Sequence, residues 1–431
     1  MGDPMRIGLN TSELSERIKR NFKRLCEPYY SIEQVFSPKE YGWQGDKEGR
    51  ALLSFVCHAK INGEKVPCMT QLIESIPEKT NKYFFFGEKQ EEFIDEQQLS
   101  GHSWYLRGLM EYYELYADKK ALEYAESTVR HLYMPAKGKF TSYPIDYIRL
   151  DGEVSGNNSD IVNGWLLSTD TGCAFMSIDG LSHFYCVTRD KEVLGLLYEM
   201  REVFDKIDKM EIKAQTHCCL TAARGFIRLY KETSDTKFLD SATKLWNLYV
   251  ENGMTYTYQN FNWWGKGDTW TEPCAVVDSL ILAGELFKLT GDESYRTIAA
   301  RIWHNGFSAM QVGNGGAGTT TTVSSTESLL KTSMYEAPFC CTMRLAEGLL
   351  YVERNKDILY AVTDEIQKDK YGRYMSGDII YAQISCNEEA EKFIDRSTEI
   401  VVDGIKIQPI IKYYCLPKEV SDSIVQRIIF K

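Results

Sequence analysis

The chain has 431 residues, more than one hydrophobic core usually organises, so two domains or one large repetitive domain is expected. A formal net charge of −11 lacks the basic footprint of a nucleic-acid or anionic-membrane binder, and neither partner is expected. With 27 Tyr, 19 Phe and 8 Trp in an acidic chain, the aromatics either line a concave surface that stacks sugar rings or fill cores.

The opening MGDPMRIGLNTSELSERIKR has no apolar h-region, and no later stretch reaches the roughly 18 apolar residues of a membrane helix. A cytoplasmic location is the expectation. The 12 cysteines are too few for a disulfide scaffold at this length, and Cys218–Cys219 and Cys340–Cys341 are adjacent pairs that cannot easily be bridged internally. Thiols in a reducing compartment, free to bind metal, fit better.

In chain order, apolar periodicity predicts helices over 11–26, 47–62 and 67–77. A repeated grammar follows in YYELYADKKALEYAEST, HFYCVTRDKEVLGLLYEM, FIRLYKETSDTKFLDSATKLW and ELFKLTGDESYRTIAARIW. Each has an aromatic-apolar helix end, a short turn closed by Asp118, Asp190, Asp235 or Asp292, and a second amphipathic run. Those aspartates are placed to cap the following helix. The turns lie 72, 45 and 57 residues apart, which means one helix pair per repeat with variable outer loops.

A further helix over 340–354 brings the total to about twelve. The expected fold class is mainly α: an (α/α)6 toroid over residues 5–355, with an open superhelix of helix pairs as the alternative. Residues 134–170 and 251–271 interrupt the pattern with Gly, Asn, Thr and aromatics and read as functional loops, and 314–329 reads as a flexible lid. From 356 to 431 short β-like runs, with Asp403-Gly404 as a hairpin signal, predict a short β-rich appendage.

Two helix starts carry thiols. In TWTEPC (269–274), Thr271 is a cap candidate, Pro273 suits the first turn, and Cys274 falls where unpaired N–H groups and the helix dipole favour a thiolate. In APFCCTMRL (337–345), Pro338 precedes Cys340 and Cys341, again in a first turn. Glu272, Cys274, Cys340 and Cys341 together offer one carboxylate and three thiolates, a set suited to tetrahedral Zn²⁺ and not to Mg²⁺ or Ca²⁺. The spacing contains no C-x2-C pair, so small buried residues at helix starts would also account for these cysteines.

A helix opened by E-x-C, followed by a later helix opened by C-C, resembles glycoside hydrolase family 127, the β-L-arabinofuranosidases. SGHSWYLRGLMEYYELYADKKAL (100–122) looks like that family's early histidine-bearing helix, with His102 at the motif position. THCCLTAARGFIRLY (216–230) is similar to a later stretch, with His217 in the matching place. The resemblance implies a carbohydrate substrate with an L-arabinofuranoside, zinc held by Glu272, Cys274, Cys340 and Cys341, and Cys340 as nucleophile in a retaining hydrolysis. It also implies that His102 and His217 contact sugar hydroxyls.

The sequence departs from the family in three places. The family's general acid/base is a glutamate about sixteen residues before the E-x-C glutamate, and Tyr256 stands there. Asp268 is the sole carboxylate between Glu251 and Glu272, so it is the expected replacement acid. A third family histidine is replaced near STDTGCAFM by Cys173, and the C-terminal β region is short for the usual β-sandwich. Two rival readings stay open: a two-carboxylate toroid hydrolase or lyase with structural cysteines, and a non-catalytic sugar-binding toroid that lost its acid.

Overall fold

The structure, a computed structural model, describes residues 11–37, 42–149, 156–255, 258–266, 269–307, 310–318 and 336–359, and short strands between 367 and 417. It divides into two compact units, Leu25–Asn252 with Trp263–Gly265, and Met1–Arg24 with Gly253–Asn262 and Lys266–Lys431.

The first of these is built from helical hairpins. Its helices are α2 (Ile32–Val35), α3 (Asp46–Asn62), α4 (Pro67–Lys79), α5 (Glu96–Tyr116), α6 (Lys119–Thr128), α7 (Ser177–Thr188), α8 (Lys191–Lys206), α9 (Thr216–Thr233) and α10 (Thr236–Asn252). The hairpin partners differ in kind. In α5 every residue from Glu96 to Met110 is buried, whereas α8 buries only Val193, Leu196, Leu197, Met200, Val203 and Phe204. That i, i+3, i+4, i+7 stripe marks a helix with one covered face, and burial on all sides marks a helix enclosed by neighbours. Each apolar side chain on the α8 stripe contributes about 1.5–3 kcal/mol over leaving it in water.

The enclosed helices pack in series, α3 on α5, α5 on α7, and α7 on α9. Glycine makes these approaches close enough. A Cβ on Gly180 would lie 2.6 Å from the Ser103 carbonyl oxygen, and one on Gly225 would lie 2.7 Å from that of Ile178.

The predicted aspartate caps are present. Asp118 accepts from the Lys120 N–H at 2.9 Å, Asp190 from Glu192 at 2.8 Å, Asp235 from Lys237 at 3.0 Å, and Asp292 from Ser294 at 2.9 Å. Each satisfies N–H groups that the first helical turn leaves unpaired.

Residues 134–170, read as an irregular loop, contain more order than that. Strands β2 (Asn158–Val162) and β3 (Trp165–Ser168) form an antiparallel hairpin, and β1 (Ile94–Asp95) joins β3 in parallel. The two-residue turn is Asn163-Gly164, with φ of 50° and 81°. A right-handed strand twist favours turns with positive φ at both central residues, and Asn-Gly adopts them readily. This Asn-Gly turn signal is present in the sequence, within a stretch rich in Gly and Asn throughout.

The other unit holds α1 (Thr11–Leu25, through Arg24), α11 (Pro273–Thr290), α12 (Glu293–Arg301) and α13 (Met343–Arg354). Apart from the single turn α2, the described residues thus carry twelve α-helices, the expected number. The helix expected from 340 starts differently: Pro338–Thr342 is a π-helical turn, and regular α-helix begins at Met343. Downstream, β4 (Gln367–Lys368), β5 (Tyr374–Ser376), β6 (Ile379–Gln383) and β9 (Tyr413–Pro417) form one sheet in the order β4-β5-β6-β9. Strands β7 (Ile400–Val402) and β8 (Ile405–Ile407) pair antiparallel on either side of Asp403-Gly404, itself outside the described residues. Among the described residues no helix is long and apolar enough to cross a membrane.

Candidate active site

Glu272, Cys274, Cys340 and Cys341 all belong to the second unit, and the fold draws their ligand atoms within 4.8 Å of one another. Glu272 is the extended N-cap of α11 (φ −92°, ψ 112°), and its side chain makes no capping bond. Pro273 takes the first helical position, where its missing N–H costs nothing. Cys274 follows, fully buried.

The adjacent pair is presented by the π turn. The Ala337 carbonyl accepts from Thr342 N–H at 3.0 Å, an i→i+5 bond that widens the turn. Successive α-helical residues point about 100° apart, so a wide turn is a physical means of aiming both thiols at one point. Cys340 is half-buried and Cys341 is buried.

The sulfurs form a triangle. Cys274 Sγ lies 3.4 Å from Cys340 Sγ and 3.7 Å from Cys341 Sγ, and the pair's own sulfurs are 3.8 Å apart. Cys341 Sγ donates to Glu272 Oε1 at 2.9 Å, and Cys340 Sγ lies 3.8 Å from the same oxygen. Three sulfurs placed tetrahedrally at the usual Zn–S length would be separated by about 3.8 Å. Thiolate and carboxylate chemistry and a closed triangle of nearly the right edge fit a single zinc ion. Burial pushes the Cys341 thiol well above its ordinary range, and the Cys274 and Cys340 thiols beside it push it further.

The implied sugar-binding histidines sit in the other unit. His102 is buried with both ring nitrogens engaged: Nε2 accepts from Phe86 N–H at 2.9 Å and Nδ1 donates to the Gln98 carbonyl at 2.7 Å. Burial drives its pKa down to about 4, so the ring is neutral, and its two bonds join Phe86 to α5. His217 stacks on Trp104 with ring centroids 5.8 Å apart, and its Nδ1 meets Thr221 Oγ1 at 3.2 Å. Asp268 and Tyr256 lie outside the described residues, as does most of the 314–329 segment.

Cys173, in the stretch where the resemblance implies a third histidine, is buried with Sγ 3.9 Å from Glu96 Oε2. Glu96 went unnoticed in the sequence. Its carboxylate accepts from Arg149 Nη1 at 2.7 Å, Tyr143 Oη at 2.5 Å and Ser168 N–H at 2.8 Å, and so fastens the β2–β3 insertion to the start of α5. A second acidic group, Glu111, Glu114 and His183, also gathers ligand atoms. It does not need an ion, because Arg107 holds one oxygen of Glu111 at 3.2 Å and Lys60 takes the other. Burial would raise Glu111, but Arg107, His183 and Lys60 outweigh it and leave the carboxyl below its usual range.

The family pattern described as "Beta-L-arabinofuranosidase, GH127 catalytic domain" matches residues 80–354. Among solved structures, the chain is similar to a GH127 β-arabinofuranosidase at 11% identity and a TM-score of 0.53, covering 86% of this chain and 62% of that one. It is similar to a GH127 β-L-arabinofuranosidase from Geobacillus stearothermophilus T6 at 12% identity and a TM-score of 0.52, covering 89% and 71%. A sugar epimerase from a ruminal bacterium is matched at 12% identity and a TM-score of 0.54, covering 80% and 97%. Identities this low speak for the fold alone, the (α/α)6 toroid class. The chain spans 62% and 71% of the lengths of the two arabinofuranosidases. No curated protein matches it in sequence.

Proposed function

Since the chain belongs to the β-L-arabinofuranosidase family, glycoside hydrolase family 127, we propose that it is a retaining glycoside hydrolase acting on a furanosidic sugar of the L-arabinose type. The observation that carries this reading is the closed set of Glu272, Cys274, Cys340 and Cys341. Residues 5–355 form the catalytic toroid in this reading, and 356–431 a short appendage.

Glu272, Cys274, Cys340 and Cys341 would hold one zinc ion, which when bound supplies the positive charge that keeps thiols ionised near neutral pH. Cys340 is the sulfur suited to attack, because it alone of the three is not fully buried. Its Sγ forms a bond to the anomeric carbon as the glycosidic C–O bond breaks, and the departing oxygen takes a proton from an acid. Water, giving a proton to the conjugate base of that acid, then attacks opposite the sulfur, on the face the leaving group vacated, and frees the thiolate; two inversions give net retention. Asp268 is proposed as the acid. His217 is proposed to contact sugar hydroxyls; His102, fully occupied by backbone groups, is assigned to positioning.

Glu272, being a ligand, is not the acid. Among the described residues, the buried carboxylates of this unit outside the donor set are each engaged by an arginine. Asp278 and Glu347 lie against the Arg344 guanidinium, and Glu336 against that of Arg24. Asp278 and Glu336 oxygens accept from those guanidinium donors. The sugar-binding reading retains one observation in its favour, the tyrosine at position 256. Turnover of an activated aryl β-L-arabinofuranoside decides between hydrolase and binder, because a good leaving group needs little acid assistance. Release of the aryl group supports the hydrolase, and sugar binding without release supports the binder.

A further inference from the structure

The π turn that presents the two cysteines is held at both ends by one buried carboxylate. Arg24, at the end of α1, grips Glu336 through two parallel bonds, Nε to Oε1 at 2.9 Å and Nη2 to Oε2 at 3.0 Å. The two side chains are only 7% and 1% exposed. Glu336 stands immediately before Ala337, whose carbonyl closes the π turn. At the far end of the turn Thr342 Oγ1 donates to Glu336 Oε1 at 2.9 Å and accepts from Ala317 N–H at 2.9 Å. Asn314 Nδ2 donates to Glu336 Oε2 at 3.0 Å, and Asn21 Nδ2 donates to the Thr342 carbonyl at 3.0 Å.

The backbone is shaped around this carboxylate. A Cβ at Gly316 would lie 2.2 Å from Glu336 Oε1, so a side chain there would displace this carboxylate from its present bonds. A buried charge pair costs desolvation that its mutual attraction does not reliably recover, so it is weak as a device for stability alone. Here it spans the residues on either side of Cys340 and Cys341. The directional bonds hold the backbone at both ends of the turn that carries the two cysteines, the place from which groups behind metal ligands orient them.

We propose that Glu336, clamped by Arg24, is a positioning residue that acts through Thr342 to set the Cys340–Cys341 pair for joint ligation with Cys274 and Glu272. The inference rests on the metal reading above. It concerns residues outside the donor set, none of which touches the reacting atoms.

The test uses the full chain and Co²⁺, whose thiolate charge-transfer and tetrahedral ligand-field bands report the donor geometry directly. Thr342→Val removes the hydroxyl at constant shape, Thr342→Ser keeps it, and Glu336→Gln removes the charge. Circular dichroism first establishes that each variant is folded. The expected result is a 10- to 100-fold weaker Co²⁺ affinity with altered ligand-field bands in Thr342→Val and Glu336→Gln, restored in Thr342→Ser. A merely structural role would lower the unfolding midpoint and leave the spectrum and affinity unchanged, and that outcome overturns the proposal. If the wild-type chain takes up no Co²⁺, the metal reading itself falls. The alkylation rate of half-buried Cys340 by iodoacetamide, followed by peptide mass, then decides the positioning claim. A rate changed in Thr342→Val and restored in Thr342→Ser supports it, and equal rates in all three proteins overturn it.

Discussion

Cys341 Sγ donates to Glu272 Oε1 at 2.9 Å, joining residues sixty-nine positions apart. That contact connects the start of α11 to the turn preceding α13, and the other two thiols close around it. Glu272 makes no capping bond to α11, and its Oε1 lies within 3.8 Å of both Cys340 Sγ and Cys341 Sγ.

One zinc ion per chain is therefore expected on elemental analysis of purified protein. Cys274→Ser removes a fully buried donor and should leave zinc well below stoichiometric. Metal-free protein with normal yield and stability would count against the site.

Replacing the nucleophile should stop the reaction. Cys340→Ser is expected to abolish hydrolysis even of activated aryl arabinofuranosides, because a serine hydroxyl ionises far above a thiol held by a cation. Some zinc should remain through the other three ligands. Intact mass after treatment with a covalent furanoside inactivator should place the adduct on Cys340, and an adduct on a carboxylate would overturn the assignment.

The acid should show itself through the leaving group. Asp268→Asn is expected to spare substrates with good leaving groups and to slow those with poor ones by about 10²- to 10⁴-fold, the usual range for general acid catalysis. Equal rate losses on both substrate classes would remove Asp268 from that role.

Acid stability has a separate, calculable origin. His58 is buried on α3, and burial pushes its pKa down to about 3. The unfolded chain, titrating near 6.5, then binds a proton that the folded chain refuses, so stability falls as pH drops below about 6.5. Between pH 7 and pH 5 this amounts to about 2 kcal/mol. Urea unfolding of wild type and His58→Leu at both pH values checks it: the loss on acidification should be smaller by that amount in the variant. An unchanged pH dependence would show that His58 is not held neutral.

The helical grammar was legible because its causes are local. Asp118, Asp190, Asp235 and Asp292 sit two residues before the N–H groups they satisfy, so each cap and each hairpin turn is encoded in a few adjacent positions. The same holds for Pro273 and Cys274 at the start of α11. The β2–β3 hairpin was equally local, and its Asn163-Gly164 turn was hidden only by the surrounding composition.

What no local pattern could decide is what meets what across the chain. By itself the sequence determined the helices, their caps, the β character of the C-terminal region and the residue types able to hold a soft metal ion. The tertiary structure alone decided that three sulfurs close to 3.4–3.8 Å, that a π turn aims two neighbours together, and that Glu336 binds Arg24 across 312 residues. It also decided that His102 spends both nitrogens on backbone groups, one of them sixteen residues away on the Phe86 loop. Caps and turns depend on bonds within one helical turn, which sequence spacing reports. Ligand triangles and buried ion pairs depend on where packing brings distant helix ends, and spacing carries no distance between them.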